Sequence, residues 1–141
     1  MSGFMPRLGD IIEGGATYRI EEDVDTKSFT LSRATLEAGY QVGFILVDDR
    51  KAGVSSWATT KSTDALGHLI SACAERFKAI CGYVGFWKDS DGVFHIDPSE
   101  HYLGRDYAVH YGIIYGQLSI WDWAKMDDIT ITLADLVEGV E

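Results

Sequence analysis

The sequence predicts an α+β protein: a single domain over residues 1–141, built on a mostly antiparallel sheet with two helices packed on one face. Three observations predict it. Short stretches of alternating apolar and polar residues occur at both ends and in the middle of the chain, two segments repeat apolar residues at helical spacing, and turns rich in Gly, Asp or Pro separate them. The resulting order is β, β, β, α, β, β, α, β, β. With 141 residues, 46% of them hydrophobic, a chain of this size buries roughly two-thirds of the surface it exposes when unfolded, enough to close a core without a disulfide or metal.

Each element follows from its local pattern. Ala16 to Ile20 and Ser28 to Leu31 alternate around the turn residues Asp23 to Thr26, which predicts a hairpin. Tyr40 to Val47 is apolar almost throughout, as a strand covered on both faces would be, and Asp48, Asp49, Arg50 and Lys51 end it in solvent. Ser62, Thr63 and Asp64 supply a helix start, because free N–H groups and the positive dipole end favour oxygen ligands and acids there. Leu66, Leu69, Ile70, Cys73, Phe77 and Ile80 then mark the apolar face of that helix.

Tyr83 to Trp87 and Val93 to Ile96 flank Lys88 to Gly92, the composition of a hairpin loop, and Asp97-Pro98 is expected to end the second strand. Alternation puts Val84 and Phe86 on one face, Tyr83 and Trp87 on the other. A second helix is expected from Arg105 to Tyr115, with Asp106 in its first turn, Ala108 and Gly112 as a shallow packing strip and Gly116 at its C-terminus. Gln117 to Trp121 and Ile129 to Thr132 complete the sheet around a turn at Trp123 to Asp128.

Charge narrows the class of partner. Twelve Lys and Arg against 22 Asp and Glu give a net charge of −10, which opposes phosphate-rich partners and anionic membrane surfaces and favours basic ones. Residues 119–141 hold six acids and one base, so an acidic C-terminal tail is expected over about 133–141. Cys73 and Cys81 form no CxxC pair and are expected to be buried thiols. The segment from Met1 to Arg7 lacks the flank and apolar run of a signal peptide, and no window reaches roughly 18 uncharged apolar residues, which predicts a cytoplasmic protein with no membrane contact.

Motifs for chemistry are sparse. His95, Asp97, Glu100 and His101 form the densest polar cluster, and imidazoles beside carboxylates bind divalent metals or pass protons. The competing reading places His95 on the solvent face of the hairpin and Glu100 and His101 in its exit loop. Asp89 to Gly92 resembles part of a calcium loop, but aligning Gly92 with the sixth position puts Trp87 at the first and Pro98 at the twelfth, so a turn is the better reading. No Gly-x-Ser-x-Gly elbow and no phosphate-binding glycine motif occurs, and no cofactor is expected.

The stretches Gly82 to Trp87, His95 to His101, Gly104 to Ala108 and Gly116 to Asp122 together resemble a loose group of small bacteriophage and mobile-element proteins. The shared pattern is a YxGxW strand, a short acidic turn, a strand ending in Asp-Pro, an RDxA helix start and a closing GQxxIWD segment. Glu37 to Ile45 resembles the same group's xxGYxVG strand. The match covers about 40–125, with Ser119 where the group has Ala. It implies a phage or mobile-element origin and brings no activity to any residue.

The function expected from these observations is a non-enzymatic acidic binding module, a phage-type accessory protein that binds or inhibits a host protein with a basic surface. A nucleic-acid-handling or defence component fits, because grooves made for phosphate attract a negative surface. Asp122, Asp127, Asp128, Asp135 and Glu138 are the expected contact residues, with Trp123 as the aromatic anchor. Two alternatives stay open: a metal- or small-molecule-binding protein or enzyme using His95, Asp97, Glu100 and His101, and a virion or assembly protein that self-associates as a homo-oligomer.

Overall fold

The computed structural model describes residues 4–44, 56–132 and 134–135. Among the described residues eight antiparallel strands form one sheet, with three helices of six residues or more. In chain order these are α1 (Leu8–Glu13), β1 (Gly15–Glu22), β2 (Phe29–Ala34), β3 (Tyr40–Gly43), β4 (Ala58–Thr60), α2 (Thr63–Phe77), β5 (Tyr83–Lys88), β6 (Phe94–Tyr102), α3 (Arg105–Ile114), β7 (Ser119–Asp122) and β8 (Asp127–Thr130). The strands lie side by side as β2-β1-β5-β6-β3-β7-β8, and β4 pairs with the first part of β6.

Both longer helices cover the same face, as expected. Leu66, Ile70, Cys73 and Phe77 of α2 pack on Tyr18, Val84, Phe86, Phe94 and Ile96, while Ala108 and Val109 of α3 pack on Val42 and Ile120. Ser62 caps α2 by accepting the Ala65 N–H at 3.1 Å. At Gly112 the backbone of α3 comes so close to the sheet that a methyl group there would lie 2.8 Å from Ile131 and 3.2 Å from Ile120. Both cysteines are free and buried, and burial pushes the Cys81 thiol up to about 11 and the Cys73 thiol higher still.

Four local expectations need correction. Asp97-Pro98 does not end the hairpin; β6 runs on to Tyr102. The Pro98 carbonyl accepts from Phe44 N–H at 2.7 Å, so the nitrogen that cannot donate points to the same side, where β6 changes neighbour from β4 to β3. Glu100 and His101 therefore lie within a strand and not in an exit loop. Ile80 falls beyond the end of α2 and is 53% exposed, so the apolar stripe stops at Phe77. The helix α1 and the strand β4, six and three residues long, add to the predicted order; neither is long enough to show a period. Of the strand expected over Tyr40 to Val47, Tyr40–Gly43 forms β3, Phe44 follows it outside the strand, and Ile45 to Val47 lie outside the described residues. Among the described residues no helix is long and apolar enough to cross a membrane.

α1 is fastened to the sheet by a buried carboxylate. Asp10 accepts the Tyr18 hydroxyl at 2.8 Å and pairs with Arg33 and, at 3.4 Å, Arg7. Burial works against its ionisation, but the Tyr18 bond and the two guanidinium groups outweigh it and hold its carboxyl below the usual range.

Candidate functional site

Among the described residues one face of the sheet carries no helix; a groove lies on it, and its shape follows from register. Gly85 stands opposite Asp97 and Thr17, and Gly43 stands opposite Ser99. Two of these central positions have no side chain, and their partners are short and polar. Trp87 rises at one end of this floor and Trp121 and Trp123 at the other, enclosing a groove of about 690 Å³, within the range of small-molecule and peptide sites.

The floor is rigid. Gln41 donates from Nε2 to Ser99 Oγ at 2.9 Å and accepts the Trp123 indole N–H at 3.1 Å. One amide thus fixes a hydroxyl and an indole from two other strands and turns. Asp97 accepts the Trp57 backbone N–H at 2.8 Å. Trp87 stacks on His95, ring centres 4.1 Å apart and planes 9° from parallel, and stays 48% exposed; one ring face is taken and the other is open.

Charge in the groove is one-sided. Glu13, Asp97 and Asp128 line it, and among the described residues the one basic residue in its lining, Arg33, is paired with buried Asp10. Among the described residues no Lys or Arg is within ion-pair distance of Glu13 or Asp128. Asp128 is exposed, yet partial desolvation of its carboxyl, and then the neighbouring Asp127 charge, push it up from its ordinary value.

The predicted contact residues do not form one surface. Asp122 is only 5% exposed, and its Oδ1 accepts Ala124 N–H at 3.0 Å and Lys125 N–H at 3.2 Å. Trp123 is 7% exposed and its indole N–H is used by Gln41. Both expectations of an exposed contact are corrected: the first residue builds the β7–β8 turn and the second walls the groove from inside. Asp127 and Asp128 lie on the edge strand β8, opposite Asp122 and Trp121. Asp135 accepts the Thr132 N–H at 2.9 Å and lies 4.0 Å from Arg105. Glu138 and most of the expected tail lie outside the described residues.

The His95 cluster separates by strand parity. His95, Asp97 and His101 project to the uncovered side, whereas Glu100 lies at a helix-side position and accepts Gly82 N–H at 3.1 Å. His101 is bonded through Nε2 to the Ala38 carbonyl at 2.8 Å. Among the described residues no three His, Cys, Asp or Glu side chains are grouped to hold a metal ion.

His95 has other partners that sequence reasoning missed. Its Nε2 is 2.9 Å from Asp89 Oδ2 and its Nδ1 is 3.0 Å from Ser56 Oγ. An ionised carboxylate only accepts, so Nε2 carries a proton, and in the neutral ring Nδ1 accepts from the Ser56 hydroxyl. The bond from His95 and the Val93 N–H hold the Asp89 carboxyl below its usual range. This carboxylate–imidazole–hydroxyl series has the order of a nucleophilic relay. Ser56, however, is 2% exposed, so its oxygen is not presented to a substrate, and the series acts as a clasp between the β5–β6 turn and the approach to β4.

One signal in the sequence points to the groove. The alternation that begins at Phe94 continues through Pro98, with His95, Asp97, Ser99 and His101 at the odd positions. No family model matches the chain, and neither a curated protein nor a solved structure does.

Proposed function

We propose that the chain is a non-enzymatic acidic binding module of the phage accessory type. It acts in the host cytoplasm by docking on a host protein with a basic surface, such as a nucleic-acid-handling or defence component. The contact surface is the helix-free face of the sheet, which takes in Asp128 of the expected contact residues. The observation that carries this reading is the groove: a hydrogen-bonded polar floor between tryptophans, with carboxylates along it and, among the described residues, one guanidinium, already paired. Aromatic side chains and desolvated charge are the usual sources of affinity at protein interfaces, and a net charge of −10 steers a basic partner toward them.

The test is capture from bacterial lysate on immobilised wild-type protein and on Trp87→Ala and Asp128→Asn variants. Basic proteins are expected to be retained at low salt and released between about 0.1 M and about 1 M, as the Debye length falls from about 10 Å to about 3 Å. Both variants are expected to weaken retention. A partner held equally by all three proteins at every salt concentration overturns the proposal.

A further inference from the structure

The geometry points to an extended, arginine-bearing segment of the basic partner as the occupant of the groove, with a guanidinium seated over the Gly85–Asp97 pair. This deepens the binding-module reading and rests on it. Length comes first. The groove is lined from β1 to β8, across β5, β6, β3 and β7, and five inter-strand steps of about 4.8 Å make about 24 Å. An extended chain covers that distance in about seven residues at roughly 3.3 Å each.

The chemistry of the floor selects the side chain. The missing side chain at Gly85 leaves room over the Gly85–Asp97 pair, whereas the Gln117 amide fills the space over Gly43; a flat group fits at Gly85, and the exposed part of Trp87 offers it an indole to stack on. Glu13 toward one end of the groove and Asp128 toward the other supply carboxylates, and Asp97, already engaged by the Trp57 N–H, adds its negative charge to the floor. Arginine is the side chain that joins all of these: a planar cation that stacks on aromatic rings and pairs with carboxylates through a fixed fork of donors. Lysine is a compact, strongly hydrated point charge and makes less of a stacking surface.

The experiment uses capped heptapeptides in which three arginines alternate with glycine and serine, beside counterparts with lysine or citrulline. Binding is read by calorimetry and by indole fluorescence. The arginine peptide is expected to bind roughly tenfold more tightly than the lysine peptide, and the citrulline peptide, flat but uncharged, not measurably. Trp87→Ala and Asp128→Asn are each expected to weaken the arginine peptide by about fivefold or more. Equal affinity for arginine and lysine, lost together in both variants, overturns the arginine assignment and leaves the basic-partner reading standing. Failure of both cationic peptides to bind, or binding that neither variant alters, overturns the groove as the contact surface. Citrulline binding as tightly as arginine removes charge from the account.

Discussion

Along β6, Phe94 and Ile96 alternate with His95 and Asp97, and the two sets meet different surroundings. The first pair is sealed under α2 with Phe77 and Ile70. The second faces a side with no helix, yet its neighbours Gln41 and Ser99 are buried as well. On the covered face burial is achieved by apolar contact, which has no direction. On the uncovered face it is achieved by register, with glycines opposite short polar residues and tryptophans at the margins, and every buried polar group there is aimed. The first arrangement stabilises; the second leaves a shaped polar space, which is what recognition needs.

Emptying each face in turn separates the two roles. Phe77→Ala removes a ring that is 1% exposed and is expected to cost about 3–5 kcal/mol in chemical denaturation. Trp87→Ala removes a larger ring from the uncovered face and is expected to change stability by no more than about 0.5–1 kcal/mol, while abolishing most of the partner binding. Equal losses of stability would mean that the uncovered face is a second core.

Asp10 sharpens the same contrast at the edge of the covered face. Asp10→Ala leaves the buried Tyr18 hydroxyl without its acceptor and Arg33 without its pair, an expected loss of about 2–3 kcal/mol at neutral pH. Because the folded-state value of Asp10 lies below its unfolded value, its contribution is present above the ordinary carboxylate range and fades as pH falls through the lower, folded value. The wild type is therefore expected to lose more stability on acidification than the variant, a difference read by denaturant titration across that interval. On the uncovered face, Gln41→Ala strands the Trp123 indole N–H and is expected to cost about 1–2 kcal/mol, with a shift in tryptophan emission.

The covered face was readable from the sequence because hydrophobic period is a local property. The α2 stripe from Leu66 to Phe77, the inward set Val84 and Phe86, and the Ala108/Gly112 strip are all visible within a single element. Apart from the alternation along β6, the groove was not readable, because it depends on pairing between strands far apart in the chain: Gly43 reaches Ser99 and Thr17 reaches Gly85 across register that no short window contains. Pro98 hid it further by suggesting a break where β6 only changes neighbour. The acidic C-terminal excess drew attention to Asp122 and Trp123, whose local positions said nothing of the Gln41 amide or of the turn N–H groups that occupy them. His95 was read with its neighbours in sequence, whereas its partners Ser56 and Asp89 come from other elements.

The smallest expected effect is the most specific. Asp128 carries a carboxyl raised by partial desolvation and by Asp127, so its folded-state value lies above the unfolded one. Such a group favours the folded state while protonated, at low pH, and that contribution disappears as pH rises through the folded value. At neutral pH the ionised form therefore opposes folding slightly, and Asp128→Asn is expected to leave stability unchanged or raise it, within about 0.5 kcal/mol. Cation binding is expected to fall in the same variant. A residue that only shapes β8 would lower stability and binding together. Opposite movement of the two, measured on one preparation by thermal denaturation and by titration with the arginine peptide, is the signature of a carboxylate held in place for a cation.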